Sequence, residues 1–310
     1  MTAAAAPLAP GAPAAELRRG TSAVRVAVAP GAPVVSFIAD GHDWCAAAPW
    51  FDRAPSAAAC ALPTFVAGVA GAKFPAGGLL AVEEPVVEVH ADGGPGAITA
   101  VWPPSRYPLT WTRTITLEPD GAVLARYTVT NSQRTPMPFL WNLPIGLPWH
   151  GAVRIDLPRG VRARVATSSG AGLPAAGAEF AWPALRDGGK LVDLSHPAQL
   201  GARRSVLCFV EVPRARVTVR VGNAVLDLSA DPDIVTHARI WVNNDADAPD
   251  APKRHWWRRH QAVREVSVGL SLGAPDALSD ATAAWRTARW VDQGETLQWD
   301  VRLRPVPPAE

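Results

Sequence analysis

The sequence predicts an all-β protein, a large antiparallel β-sandwich in one domain. Three observations lead to this fold class. Apolar and polar residues alternate with a period of two in many short stretches, and Gly, Pro, Asp and Asn separate these stretches at turn-like spacing. Helical periodicity is nearly absent. With 310 residues, the chain has enough material for one large core.

The clearest strands are RTITLEP (113–119), AVLARYTVTN (122–131) and RVTVRVGNAVLDLSA (216–230), with EPDGAV as a hairpin turn. Further strands are predicted in SAVRVAVAP, PVVSFIAD, VRIDLP, ARIWVNN, EVSVGLSLG and TLQWDVRLRP. One segment, PDALSDATAAW (275–285), has helical character because alanines fill it and Pro275 or Asp276 lies near its start. Many strands with almost no helix favour a sandwich.

The first twenty residues, MTAAAAPLAPGAPAAELRRG, are rich in Ala, Pro and Gly and offer little apolar bulk to bury. They are therefore predicted to form a flexible tail, followed by a domain over residues 21–310. They lack the basic start and apolar run of a signal peptide, and no window of eighteen uninterrupted apolar residues follows. We expect a cytoplasmic protein that does not bind membranes.

Charge and cysteine content narrow the class of ligand. The net charge is only +2, so a phosphate-binding surface for nucleic acid is not indicated. The three cysteines, Cys45, Cys60 and Cys208, are an odd number without CxxC spacing, which favours buried thiols over a disulfide framework or a zinc site. Neither a metal nor a cofactor is expected, and the sequence leaves the oligomeric state open.

A longer pattern resembles a known family. The pattern begins with the long segment LTWTRTITLEPDGAVLARYTVTNSQRTPMPFLWNLP. Five shorter segments follow it in this order: VRIDLP, WPALRDGGKLVDLS, ARIWVNN, GAPDALSDA and QGETLQWDVRL. This order of segments, over about residues 34–303, resembles the aldose 1-epimerase, or galactose mutarotase-like, superfamily. The resemblance implies a large β-sandwich whose concave face binds a sugar. It also implies, for active members, a His and a Glu that move protons between the ring oxygen and the anomeric hydroxyl.

The sequence departs from the family at these two residues. Where the family has its histidine after the FLW segment, this chain has Asn142, Leu143 and Pro144. Where the family has its late glutamate, this chain has Ser271 at or near the position. An earlier family histidine is also absent, and Glu83 and Glu84 follow the KFPAGG segment instead.

Alternation assigns the remaining polar residues to one face. In HARIWVNN, apolar residues at 238, 240 and 242 form one row, so His237, Arg239, Trp241 and Asn243 share the opposite face. In EVSVGLSL, the apolar row leaves Ser271 on the other face, and in FLWNLP, Asn142 shares a face with position 144. If the strands are neighbours, as the resemblance implies, these faces line one concave surface.

The candidate site residues follow from this surface and from the departures. The candidates for proton transfer are Glu84, with Glu83 beside it, His150 and His237, because a carboxylate and an imidazole across a pocket can exchange protons with a substrate. The candidates for ligand binding are Asn142, Arg239, Trp241, Asn243, Ser271, Trp256 and Trp257.

Several of these residues have a purely structural interpretation as well. Trp141 is predicted to be a core residue, and Trp241 either stacks on a ligand or is partly exposed. His150 lies in a loop bounded by Pro and Gly, where a surface histidine is the simpler interpretation. The stretch KRHWWRRH, with Trp256 and Trp257, is an exposed basic loop, a lid over the pocket or a contact for a partner.

Three functions remain open. The first is an aldose 1-epimerase-like sugar isomerase with a rebuilt or degraded acid/base pair. The second is a non-catalytic carbohydrate-binding protein that keeps the concave face. The third is a scaffold recruited to isomerise or cyclise a metabolite that is not a sugar. In each case the expected partner is a small molecule, most simply a ring compound bearing hydroxyls.

Overall fold

The computed structural model describes residues 13–44, 80, 83–90, 96–105, 107–147, 152–244 and 264–306. Regular structure in these residues is almost entirely β, and every strand pair is antiparallel, as the alternation predicted. Two large sheets and one smaller sheet contain most of the strands, and the apolar sides of these sheets meet in one hydrophobic core.

The larger sheet has eight strands. In spatial order they are β11 (Val153–Asp156), β17 (Arg216–Val221), β18 (Ala224–Ala230), β22 (Thr296–Val306), β8 (Val123–Asn131), β7 (Leu109–Leu117), β6 (Ala97–Trp102) and β5 (Val86–His90).

The second large sheet has six strands and carries the candidate site. In spatial order they are β10 (Asn142–Leu147), β20 (Arg264–Ser271), β19 (His237–Asn244), β16 (Arg204–Glu211), β12 (Arg162–Ser169) and β13 (Glu179–Ala181).

The other elements are small. A four-stranded sheet contains β1 (Ala14–Arg19), β2 (Ser22–Ala27), β3 (Val34–Ala39) and β4 (His42–Asp43). Two strand pairs are β14 (Ala184–Asp187) with β15 (Lys190–Asp193), and β9 (Met137–Phe139) with β21 (Arg289–Val291). A 3-10 turn covers Pro197–Gln199, and the helix α1 covers Leu278–Ala283. In the described part of the chain, no helix is long and apolar enough to cross a bilayer.

The β7–β8 hairpin shows how the sequence determines the sheet. Along β7 every second residue is buried, because the threonines alternate with apolar side chains and Arg113. Strand β7 ends at Leu117, and the predicted turn follows: the Asp120 carboxylate accepts a hydrogen bond from the Ala122 backbone N–H, and Gly121 adopts a φ of +79°. Such a positive φ is costly for residues other than glycine.

Strand β1 corrects the predicted domain boundary. Residues 14–19 belong to the stretch predicted to be a flexible tail, yet they pair along their whole length with β2. Ala15 and Leu17 alternate into the core, and the Arg19 guanidinium donates a hydrogen bond to the Leu117 carbonyl at 3.1 Å. The prediction of a tail rested on the overall Ala and Pro content of residues 1–20 and missed the short alternation of buried and exposed residues in β1. Residues 1–12 lie outside the described residues.

An aromatic cluster joins the two large sheets. Trp141, just before β10, is fully buried, and its ring lies 4.9 Å from that of Tyr127 and 5.5 Å from that of Trp299 between ring centroids. Tyr127 and Trp299 stack on each other at 5.6 Å. The prediction that Trp141 is a core residue is therefore confirmed.

Candidate functional site

The polar face of the six-stranded sheet is set by strand register. His237 lies opposite Ser271 of β20 and opposite Glu211 of β16, and Ser271 in turn lies opposite Asn142 of β10. Residues directly opposite each other in an antiparallel pair project to the same side of the sheet. Arg239, Trp241 and Asn243 follow His237 along β19 at every second position, while the residues between them are buried in the core. The structure thus brings six of the predicted ligand-face residues together: Asn142, His237, Arg239, Trp241, Asn243 and Ser271.

Ser271 shares this face but is not open to a ligand. Its side chain is 1 % exposed, and its hydroxyl lies within hydrogen-bonding distance of the backbone carbonyls of Trp141 and Gly273. The chain after β20 turns back over this end of the strand and covers the hydroxyl. Ser271 therefore holds the loop and does not offer a group to a ligand, which corrects the prediction made for it.

The same loop supplies a carboxylate that was not among the candidate residues. Asp276, five residues after Ser271, lies in the segment leading into α1. The Arg239 guanidinium donates to it from Nε at 3.0 Å and from Nη2 at 2.9 Å, and the Asn142 side-chain amide donates to its Oδ1 at 3.1 Å. Because Asn142 and Arg239 belong to strands on either side of β20, the Asp276 carboxylate lies over β20, in the middle of the polar face.

His237 presents one ring nitrogen as a proton acceptor. Thr236 Oγ1 donates to the Leu272 carbonyl at 3.1 Å and lies 2.8 Å from His237 Nδ1. A hydroxyl has one proton, so both bonds are satisfied only if Nδ1 carries a hydrogen and donates to Thr236. The lone pair is then on Nε2. Burial, and secondarily the positive charge of Arg162, lower the pKa of His237 to about 4, so the ring is neutral at physiological pH.

This lowered pKa predicts a specific loss of stability in acid. As the pH falls from about 6.5, the unfolded chain binds a proton that folded His237 accepts only near pH 4, so the free energy of unfolding falls across this interval. His237→Gln removes the group, and we expect a flatter dependence of melting temperature on pH between 6.5 and 4. His90→Gln, at an exposed histidine in β5, is the matched control and should keep the wild-type profile. Identical profiles for wild type and His237→Gln would contradict the assignment.

Trp241 and Glu265 form a second polar group on the face. The Trp241 indole Nε1 donates to Glu265 Oε2 at 3.1 Å, and Glu265 lies opposite Asn243 in the β19–β20 pair. Burial raises the pKa of Glu265, while the indole hydrogen bond and the charge of Arg239 act in the other direction. The Arg239 Nη1 also donates to Ser267 Oγ at 3.2 Å, so Arg239 lies between the Asp276 carboxylate and the Trp241–Glu265 pair.

Part of the face is apolar and covered. Leu207 and Phe209 of β16 project to this side and pack with Ala274 and with the partly buried Trp241 and Trp285. Trp285 follows α1, and the Arg164 guanidinium lies over its ring at 4.1 Å from the centroid. The segment from Ala274 to Trp285 therefore covers the β16 side of the face, and the accessible part lies around His237, Arg239, Asp276 and Trp241.

The remaining predicted residues are not brought to this face by the structure. Glu84 is exposed and lies two residues before the start of β5, the edge strand of the other large sheet. Its predicted pairing with His237 is not supported by this position. The fold instead places Glu211 directly opposite His237 in the β16–β19 pair, and Asp276 on the same polar face. His150, Trp256 and Trp257 lie outside the described residues, so their predicted roles stay predictions.

The separation between Asp276 and His237 is compatible with proton transfer to and from one small ring. Asp276 binds Asn142, which lies opposite Ser271, and Arg239, which lies two positions after His237 on β19. Adjacent strands are about 5 Å apart and alternate residues of a strand roughly 7 Å apart, so the carboxylate lies on the order of 5–10 Å from the His237 ring. This separation suits two groups that contact one small ring from different sides. Among the described residues, no group of three or more His, Cys, Asp or Glu side chains is arranged to hold a metal ion.

The fold is shared with solved structures, although no family model and no curated sequence matches the chain. A candidate aldose 1-epimerase of Escherichia coli K12 superposes with a TM-score of 0.66 at 14 % identity, over 95 % of this chain and 99 % of that one. A GalM/aldose epimerase homologue of C. elegans gives 0.63 at 10 % identity, over 96 % and 100 %. A galactose mutarotase related enzyme of Lactobacillus acidophilus gives 0.60 at 14 % identity, over 96 % and 98 %. The chain therefore has the β-sandwich fold of the aldose 1-epimerase, or galactose mutarotase-like, proteins.

Proposed function

We propose that the protein binds a monosaccharide, or a sugar-like ring, on the polar face of the six-stranded sheet and interconverts its anomers slowly. The observation that carries this proposal is the Asp276 carboxylate, which Arg239 and Asn142 fix on the same polar face as the neutral ring of His237. The descriptions of the comparison proteins as aldose 1-epimerase or galactose mutarotase relatives support a sugar as the ligand class.

The lack of a suitable proton donor in the site explains why the reaction would be slow. Opening a cyclic hemiacetal requires one group to take the anomeric hydroxyl proton and another to protonate the ring oxygen. Asp276 and His237 Nε2 are both acceptors, and the only proton on His237 is bound to Thr236. A positioned acid contributes about 10²- to 10⁴-fold. Without one near Asp276, water must deliver the second proton, and the rate falls by about that factor.

The Trp241–Glu265 pair supports a hydroxyl-bearing ring rather than an apolar one. The hydrogen bond to Glu265 fixes the plane of the indole, and an indole face is a good surface for the C–H side of a sugar ring. Glu265 and Asp276 accept hydrogen bonds on either side of Arg239, which can itself donate. Stacking supplies contact area, and these groups supply orientation.

A second candidate function is binding without catalysis. The shortage of a proton donor beside Asp276 favours it, because a pure binding site needs acceptors and donors for hydroxyls but no acid of matched pKa. Both functions use the same residues and differ only in whether bound sugar exchanges anomers. A cytoplasmic location, expected from the sequence, completes the proposal.

Asp276→Asn is the decisive variant for this site. The amide keeps the shape and can still accept from Arg239, but it loses the charge that strengthens hydrogen bonds to a hydroxyl, so affinity for an aldose should fall about 10- to 100-fold. Anomer exchange, followed by two-dimensional exchange NMR of glucose and galactose, should fall to the uncatalysed rate. Asp280→Asn, at an exposed residue of α1 four positions later, is the matched control and should leave both unchanged.

The outcomes separate the alternatives. Saturation-transfer NMR against a panel of aldoses reports binding independently of exchange. If the wild type binds an aldose without exchanging its anomers, the non-catalytic function is supported. If exchange is efficient, the site contains a proton donor in addition to Asp276 and His237. If no aldose binds, or if Asp276→Asn behaves like Asp280→Asn in both assays, the proposed function is wrong.

A further inference from the structure

Arg113 is a buried cation in the middle of the sandwich. It occupies an inward position of β7, in the row that contains Leu109, Trp111 and Ile115, and is 1 % exposed. Its Nη2 donates to the Ala32 carbonyl, and its guanidinium carbon lies 5.7 Å from the centroid of the Trp102 ring. Burial lowers the pKa of Arg113 below its ordinary value, but an arginine retains its charge at neutral pH.

No acidic side chain among the described residues neutralises this charge. The groups that interact with it are the Ala32 carbonyl, the Trp102 ring and Tyr127, its cross-strand neighbour in β8. Burial raises the pKa of Tyr127 to about 12, so the phenol is neutral and cannot act as a counter-charge. The Tyr127 hydroxyl also shares a hydrogen bond with the guanidinium. Two guanidinium nitrogens, Nε and Nη1, are buried and have no acceptor at normal hydrogen-bond geometry among the described residues.

With the partners that the described residues provide, this arrangement is energetically demanding. Buried charges in proteins are almost always paired, because removing an ion from water costs several kcal/mol that only a close opposite charge or several hydrogen bonds can offset. The cation–π contact with Trp102 contributes about 1–2 kcal/mol and leaves two donors without acceptors. Close by, the indole N–H groups of Trp102 and Trp299 are likewise buried donors without acceptors.

The surroundings define what can offset the charge. Donors dominate this part of the core, so the missing partner is an acceptor, and a single positive charge is neutralised by a single negative one. A cavity beside Tyr127 is lined by apolar and aromatic side chains such as Phe37 and Ile115, and Arg113 is not among its lining residues, so an ion that pairs with Arg113 lies against the guanidinium itself and not in this cavity. A divalent or bulky anion would bring excess charge or volume into this close-packed region.

We propose that Arg113 binds a small monovalent anion of halide size inside the core, and that this ion is part of the folded structure. The site lies between the two sheets, on the side of the six-stranded sheet opposite His237 and Asp276, so the proposal is independent of the sugar site. An ion that binds only the folded state stabilises it by mass action.

The test is the dependence of stability on the identity of the anion. The full chain is prepared without halide, and its urea unfolding is measured in increasing sodium chloride or bromide, with sodium gluconate holding the ionic strength constant. Above the dissociation constant, each tenfold rise in halide should raise the folding equilibrium constant about tenfold, because one ion binds per folded chain. Sulfate and gluconate should have no such effect.

Two variants locate the effect. Arg113→Met replaces the cation with an apolar side chain of similar length, and it should abolish the halide dependence while being at least as stable as wild type in gluconate. Arg126→Met removes the same charge from an exposed position on β8 and should keep the dependence. An equal halide response in Arg113→Met and wild type, or no response in wild type, overturns the proposal.

A direct measurement keeps the proposal testable if Arg113→Met fails to fold. Wild-type crystals grown in sodium bromide should show an anomalous scattering peak within about 3–4 Å of the Arg113 guanidinium, the distance range of a charged hydrogen bond to a halide. A well-diffracting crystal with anomalous peaks only at the protein surface would rule the site out.

Discussion

Gly269→Ala is expected to destabilise the protein by about 3 kcal/mol or more, although it adds a single methyl group. Gly269 lies in β20 opposite Pro144 of β10, and the two backbones approach so closely that a Cβ on residue 269 would lie 1.9 Å from the Leu143 carbonyl oxygen and 2.5 Å from its carbon. Both atoms belong to the backbone, so no side-chain rotation relieves the contact. Strand β10 must move by more than an ångström.

The same displacement would affect the site. Asn142 holds Asp276 from β10, and Arg239 holds it from β19 across Gly269, so moving β10 separates the two groups that fix the carboxylate. Any Gly269→Ala protein that folds should therefore bind aldoses more weakly than wild type. Urea unfolding followed by circular dichroism gives the stability, and saturation-transfer NMR gives the binding.

Gly222→Ala is the matched control for backbone strain alone. Gly222 has a φ of +60° with no atom within 4 Å of the position of a Cβ, so alanine there costs only the left-handed conformation, about 1–2 kcal/mol. If Gly269→Ala is as stable as Gly222→Ala, or more stable, the close contact between β10 and β20 does not exist as described.

Sequence alternation was sufficient to place the strand residues of the site. His237, Arg239, Trp241 and Asn243 were assigned to one face of β19 because side chains alternate strictly along a strand and one face must be apolar. The structure has them on that face, opposite Ser267 and Ser271 of β20. Alternation also implies that Arg113 points into the core with Ile115, as the structure shows.

Residues in loops could not be placed in this way. Asp276 has no strand periodicity to fix its direction, and its position over β20 depends on how the chain turns back after Leu272, where the Gly273 and Thr287 backbones meet. The same turn buries Ser271. Alternation correctly placed this residue on the polar side of the sheet, but the prediction that it contacts a ligand was wrong. A loop's path is set by tertiary contacts that a local pattern does not contain.

Strand β16 shows a different limit. Its sequence, RSVLCFVE, is apolar at consecutive positions, because Phe209 and Leu207 are covered by Trp285 and Ala274 on the side where a solvated face would carry polar residues. A strand buried on both faces loses its period of two, so it was not recognised. Trp285, which covers it, is the last residue of the segment predicted to be helical and lies two residues beyond the end of α1.

Trp141→Ala is expected to lower the free energy of unfolding by about 3–5 kcal/mol, the range for removing a large buried aromatic side chain. The Trp141 ring is fully buried and contacts Tyr127 and Trp299 from the opposite sheet, so its loss leaves a cavity where the two sheets meet. Trp141→Phe should cost much less, because the indole N–H donates to no acceptor and an aromatic ring remains. Urea unfolding followed by circular dichroism measures all three proteins.

Trp241→Ala should reduce aldose binding more than stability, the reverse of what is expected for Trp141→Ala. Trp241 is half-buried on the polar face, so its truncation should shift the melting temperature by only a few degrees while weakening aldose binding through the lost stacking surface and the released Glu265. Trp141→Ala, studied below its own melting temperature, should retain aldose binding in the folded fraction, because the ring lies on the far side of the sheet from Asp276. Equal effects of the two truncations on stability would mean that the assignment of the two faces, on which the ligand site depends, is wrong.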